Sequence, residues 1–311
     1  MRRRLAVLPA VAVLAAASLS LSACSSGDDV QVAVKGAFGA RPEVDFPKGD
    51  EPGKSLAVKT LAEGKGAAVR KGDLVVADYV GYRWTKGGSK LLASSFDEGK
   101  PGAFPTGELV PGLEKALEGA RAGSRVVARI PPKDGFGDKG DSRHQVGAGD
   151  SLLYVLDVRA VYSKTAAAQG AQRPLNDPRL PQVTPGSGAQ GPLVTVPKAA
   201  APKALQVRTL VQGGGAAVGK GQLVALQYSG SFWRNGQVFD SSWRSGRPYA
   251  ATIGTGQVMK GWDQALVGQK VGSRVLIVVP PALGYGAKGL EQAGIKGTDT
   301  LVFVVDVLGA H

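Results

Sequence analysis

The 311-residue chain has one cysteine, two histidines and two methionines, and only 6% of its residues are aromatic. A single cysteine excludes an intramolecular disulfide, so burial and hydrogen bonding have to hold the fold. His144 lies in a loop-like stretch and His311 at the last position, so no His/Cys metal cluster can be assembled and no metal is expected. A Gly-x-Ser-x-Gly elbow and a phosphate-binding loop are both missing, and Gly213-Gly214-Gly215 reads as a turn. Nucleophilic and metal-assisted chemistry are left without their residues, and no cofactor is expected. Long basic blocks are lacking too. The formal charge of +13 comes from scattered Lys and Arg, which argues against a nucleic-acid partner and leaves attraction to an anionic membrane surface open.

What is present begins with 45 glycines and 19 prolines among 43% hydrophobic residues, a balance that predicts short strands, many turns and at least one open linker. Arg2, Arg3 and Arg4 precede an apolar, Ala-rich run from Leu5 to Leu21 without an acid, which reads as an export signal over residues 1–23. That run is shorter than the roughly 20 residues a membrane-spanning helix needs. Leu21-Ser22-Ala23-Cys24 resembles the lipobox of bacterial lipoproteins. The resemblance implies cleavage before Cys24, diacylation of its sulfur and a membrane anchor that holds the protein outside the cytoplasm. A soluble secreted protein with a stray cysteine is the alternative. Loss of residues 1–23 removes three Arg and no acid, leaving about +10.

At an offset of 149 residues the chain repeats itself. Lys71-Gly72-Asp73-Leu74-Val75 lies over Lys220-Gly221-Gln222-Leu223-Val224, Gly123-Ser124-Arg125-Val126 over Gly272-Ser273-Arg274-Val275, and Pro131-Pro132 over Pro280-Pro281. Two copies of one domain are expected, over residues 55–162 and 205–311. Residues 163–204 hold seven prolines without an apolar period and read as an extended, mobile linker. Residues 24–54 read as a second tether, in which Val30 to Val34 alternates well enough for an edge strand.

In the second copy, Leu223 to Ser229, Val271 to Val279 and Leu301 to Leu308 read as strands. Asn235-Gly236 predicts a hairpin with a type I′ turn, and Met259 to Val267 has the spacing of a short helix that Gly268 ends. An α+β fold follows: each copy an antiparallel sheet wrapped on one short helix.

Aromatic residues gather near glycines in this copy: Tyr228, Phe239, Tyr249, Trp262, Tyr285 and Phe303, with Asp240 directly after Phe239. Taken singly, each is more often core than site. In order, however, Val238-Phe239-Asp240-Ser241-Ser242, Gly256-Gln257-Val258-Met259-Lys260-Gly261-Trp262, Pro280-Pro281-Ala282-Leu283-Gly284-Tyr285-Gly286 and Leu301-Val302-Phe303-Val304-Val305-Asp306 resemble the FKBP family of peptidyl-prolyl cis/trans isomerases. The resemblance implies that Trp262 floors a proline-binding pocket walled by Tyr228, Phe239, Tyr249, Val258, Met259 and Phe303. Asp240 and the Tyr285 hydroxyl would be its polar contacts, and Ile295 would stand at the rim. Tyr249, Met259 and Leu290 depart from the residues the family often has there. Asp240 has a second reading, as a turn residue capping local N–H groups. Proline-containing exported polypeptides are the implied substrates, and the family's macrolides are possible ligands.

The first copy has Leu92 for Phe239, Ala93 for Asp240, Leu113 for Trp262 and Phe136 for Tyr285, while Tyr79 and Tyr154 keep aromatic positions. A folded but weakly active or inactive domain is expected there. A non-catalytic module that holds proline-containing segments, as a chaperone or interaction lipoprotein, is the competing reading of the whole chain.

Overall fold

The computed structural model describes residues 29–186 and 190–311, so the expected export signal and Cys24 lie outside the described residues. In the second copy, strands Val238–Ser241, Leu223–Phe232, Leu301–Ala310, Arg274–Val279 and Gln206–Gly213 lie side by side, and Tyr249–Thr252 also pairs with Leu223–Phe232. The first copy repeats the order with Gly88–Ser94, Leu74–Thr85, Ser151–Tyr162, Arg125–Ile130 and Ala57–Ala62, and Gly102–Pro105 pairs with Leu74–Thr85. Every neighbouring pair is antiparallel. The expected α+β architecture is present twice.

The helix Lys260–Leu266 lays Trp262, Ala265 and Leu266 on one sheet face, against Val224, Leu226, Val275, Ile277, Phe303 and Val305. Gly268 follows it at φ +85°, a backbone that a side chain would strain. A sheet packed on one face alone alternates buried and exposed residues. The strand from Leu301 instead buries every residue through Val307, so its other face is covered as well.

That cover is the segment expected as a linker, and the expectation is corrected here. Gly170–Gln172 adds to the edge of Gln206–Gly213, and Gln182–Thr184 pairs with Leu193–Thr195 as a hairpin. Leu180, 3% exposed, packs with Trp233, Leu276, Val278, Val302 and Val304 on the sheet's outer face, and the Trp233 Nε1–H donates to the Ala199 carbonyl at 3.0 Å. The described part of the expected tether does the same for the first copy. Ala33–Lys35 pairs with Glu43–Asp45 in a separate hairpin instead of extending the sheet edge, and Val30 is buried against Val80, Val127, Leu153 and Val155. Each strap shields an apolar face that water would penalise, and its prolines fit because most of it lies outside any hydrogen-bond ladder. Pro42-Glu43-Val44-Asp45-Phe46-Pro47-Lys48 corresponds to Pro192-Leu193-Val194-Thr195-Val196-Pro197-Lys198, so the repeated unit is strap plus sheet.

The Asn235-Gly236 turn also differs from expectation. The hairpin closes by Phe232 N–H to the Gln237 carbonyl at 3.0 Å, and of the two central residues only Gly236 has positive φ. Trp233, drawn under the strap, lengthens the loop beyond a two-residue type I′ turn. Between the copies, Tyr162 Oη lies 2.7 Å from His311 Nε2, Arg247 pairs with Glu108 at 2.5 Å, and Gln227 Nε2 donates to the Lys164 carbonyl at 2.9 Å.

Candidate functional site

Helix and sheet of the second copy enclose a cavity of about 490 Å³, lined by Tyr228, Phe239, Asp240, Tyr249, Val258, Met259, Trp262, Tyr285 and Phe303, together with Gln257 and Gly284. Trp262 reaches the floor because the short helix begins at Lys260 and turns its third residue inward, where 4% of it is exposed. Its indole meets Tyr228 and Phe303 edge-on, each with ring centroids 5.3 Å apart and planes at 80° and 85°. Phe303 is crossed in turn by Phe239 at 5.7 Å, and Tyr249 stands 5.7 Å from Tyr228. Edge-to-face aromatic contacts of this kind hold a rigid apolar bowl. The bowl depends on Gly230, where a Cβ would lie 2.8 Å from both Phe239 and Phe303.

Asp240 sits on the strand Val238–Ser241, opposite Gly230. Its carboxylate accepts a hydrogen bond from the Tyr228 hydroxyl at 2.5 Å, which ties it to the cavity wall and not to a local turn. Burial, then the hydrogen bond and charge of Asp240, push the Tyr228 phenol far above its ordinary value. Tyr285 is raised as well, by burial first and by Asp240 next, while its ring remains 37% exposed at the mouth. The arrangement offers an apolar floor for a ring, a carboxylate fixed in one wall and a hydroxyl at the entrance.

The structure therefore brings together every site residue expected from the sequence except two. Ile295 is 4% exposed and packed in the core, because the bridge between Leu290 and Ile295 folds it inward, so it does not line the cavity. Cys24 lies outside the described residues. Gln257 and Gly284 were missed although both lie inside the motifs quoted above; polar and glycine residues give no apolar signal of their own. Among the described residues no group of acidic, histidine or cysteine side chains could hold a metal ion.

The strand register fixes what the first copy has at the same places. Ala93 is opposite Gly81 as Asp240 is opposite Gly230, and Tyr154 takes the place of Phe303. Gly102 stands where Tyr249 does, and Phe104 fills the space beside Tyr79 at 5.3 Å. Asp97 is bound to Arg41 and so does not substitute for Asp240.

The sequence profile of the FKBP-type peptidyl-prolyl cis-trans isomerases matches residues 65–159 and again residues 214–308. The FK506-binding protein of Streptomyces anulatus is 37% identical over 117 residues, which cover 38% of this chain and 94% of that protein. FK506-binding protein 2B of Rhizopus delemar is 43% identical over 88 residues, 28% of this chain and 42% of that protein. The peptidyl-prolyl cis-trans isomerase FKBP9 of Rattus norvegicus is 28% identical over 242 residues, 76% of this chain and 35% of that protein. The chain thus spans less than half the length of the latter two. With two matched domains over more than half its residues, the chain belongs to the family of FKBP-type peptidyl-prolyl cis-trans isomerases.

Proposed function

We propose that the second copy is the working isomerase of a membrane-anchored lipoprotein, and that it turns X-Pro bonds in exported polypeptides. The observation that carries this reading is the complete bowl in one copy, with Trp262, Phe239, Phe303, Asp240 and Tyr285 around one cavity, against Leu113, Leu92, Tyr154, Ala93 and Phe136 at the matching places of the other. Rotation about an X-Pro bond faces a barrier of about 18–20 kcal/mol from amide resonance. The planar amide has more charge separation than the twisted one. An apolar floor such as Trp262, Phe239 and Phe303 make therefore disfavours the planar ground state relative to the twisted state, and no nucleophile is needed. Trp262 supports the proline ring, the Tyr285 hydroxyl donates to a substrate carbonyl, and Asp240 fixes the wall through Tyr228. Cleavage before Cys24 and lipidation of its sulfur place the enzyme where exported chains fold, and X-Pro isomerisation there takes tens to hundreds of seconds unaided.

The test is a proline-peptide isomerisation assay on the full chain. Asp240→Ala, with an unchanged melting curve, is expected to lower kcat/KM about tenfold, the equivalent of about 1.4 kcal/mol in the transition state. A full rate from that variant would reject a role for the carboxylate. The pH profile supplies a second check. Tyr228 and Tyr285 are raised above their ordinary value near 10, so they stay protonated as the pH rises to 9. The rate is expected to be flat from about pH 6 to 9. A fall with a midpoint near pH 8 would contradict a protonated Tyr285 as donor.

A further inference from the structure

The two sheets differ at one edge. In the second copy Gly170–Gln172 lies antiparallel along Val211, Gln212 and Gly213, and the Arg173 N–H donates to the Leu210 carbonyl at 2.8 Å. The alternation of an antiparallel ladder turns the N–H and C=O of Gln212 toward the added strand too. Leu210 is skipped in the pairing with the strand behind it, and it is only 9% exposed beneath the segment that carries Leu175. In the first copy the matching strand Ala57–Ala62 ends the sheet, and among the described residues no strand pairs with its outer side. Leu61, the counterpart of Leu210, is likewise skipped by its inner neighbour, yet it is 38% exposed, and Val58 on the same strand is 42% exposed. The local frame is otherwise preserved: Gly64 N–H donates to Ser124 Oγ as Gly213 N–H donates to Ser273 Oγ.

Counting back by the repeat offset of 149–150 residues, the counterpart of Gly170–Gln172 is residues 20–23, which belong to the export signal. Cleavage before Cys24 removes them. We infer that in the mature protein the outer edge of the first sheet, at Leu61 and Glu63, is a docking site for an extended segment of a client polypeptide, which adds to it as an antiparallel strand. This inference rests on the lipoprotein reading and deepens it: the first copy, without a working bowl, holds a client while the second acts on its prolines.

The second copy also defines the chemistry of the occupant. Gly170 has no room for a side chain, since a Cβ there would lie 2.1 Å from the Gln212 carbonyl oxygen. Ala171 and Gln172 are small or uncharged, and Leu175 three residues on covers Leu210. The docked segment therefore has glycine at its start, no negative charge opposite Glu63, and an apolar residue that reaches Leu61. Main-chain bonds give such a strand its affinity and the alternate side chains its selectivity.

A fluorescent peptide with the sequence of residues 168–176 of this chain is the probe, titrated into full-length mature protein whose amino-terminal residue has been identified by intact mass. Saturable one-to-one binding is expected, at least tenfold weakened in Glu63→Pro, which loses the outward N–H. Melting temperature and the isomerisation rate of a short proline peptide should be unchanged in that variant. Leu61→Lys should weaken the peptide as well, which guards against a local distortion by proline. Absence of saturable binding to a chain that begins at Cys24 overturns the inference, as does equal binding to Glu63→Pro and Leu61→Lys. A mass showing that residues 20–23 are retained overturns the lipoprotein reading instead, and with it the claim that this edge is free for a client.

Discussion

A chain trimmed to residues 205–311, the bare sheet and helix, will lose its cooperative melting transition, whereas one that starts at residue 165 will melt in a single step. Trimming uncovers Trp233, Leu276, Val278, Val302 and Val304 on the outer face and removes Leu180, Leu175, Val183, Val194 and Val196 from it. Full burial of one large aliphatic side chain stabilises by about 1.5–3 kcal/mol. Losing one deeply buried leucine and several partly buried partners therefore costs several kcal/mol, against a total stability of about 5–15 kcal/mol for an ordinary domain. The Gly170–Gln172 strand and the Trp233 to Ala199 hydrogen bond go as well. Differential scanning calorimetry on the two fragments decides the matter, with dye binding to report the exposed apolar face. Indistinguishable melting curves would show that the strap is an ornament. The same comparison in the first copy is residues 29–162 against residues 55–162, where Val30 and Phe46 are the side chains lost.

The strap explains where sequence reasoning succeeded and where it fell short. Strands such as Leu301–Ala310 and the helix Lys260–Leu266 were legible because β-branched runs and helical spacing are local signals. The bowl was legible from the order of its motifs, and the register of Asp240 opposite Gly230 and Ala93 opposite Gly81 bears out the alignment that separated the two copies. The straps were read as open because prolines and short three-residue strands carry no period. A signal was nevertheless present on the other side of the contact. Arg274–Val279 and Leu301–Ala310 are apolar on both faces, with Leu276, Val278, Val302 and Val304 directed away from the helix, and a strand apolar on both faces needs a second cover. Ile295 failed for the opposite reason. Its place was carried over from a resemblance, whereas the bridge from Leu290 that turns it into the core depends on a loop closed by Gly294 at φ +65°.

Converting the second bowl into the first should silence the molecule. The four substitutions Phe239→Leu, Asp240→Ala, Trp262→Leu and Tyr285→Phe give the second copy the residues that the first has at those places. Each removes one element of the site: an edge-to-face partner of Phe303, the carboxylate held by Tyr228, the indole floor, and the donor at the mouth. If the first three each cost about 1 kcal/mol in the transition state, the variant loses about 100-fold or more in kcat/KM. The assay uses the full chain with both straps, so it does not confuse lost chemistry with a lost fold, and calorimetry verifies that the second domain still melts cooperatively. Tyr285→Phe alone, which deletes the hydroxyl of a partly exposed residue and leaves the floor intact, should retain the melting temperature and lose only a small part of the rate. A quadruple variant that keeps more than half the activity would move catalysis to the first copy. Such a result would also mean that a floor of Leu113, with Phe104 and Tyr154 beside Tyr79, serves a proline ring without an indole, a carboxylate or a hydroxyl at the matching places.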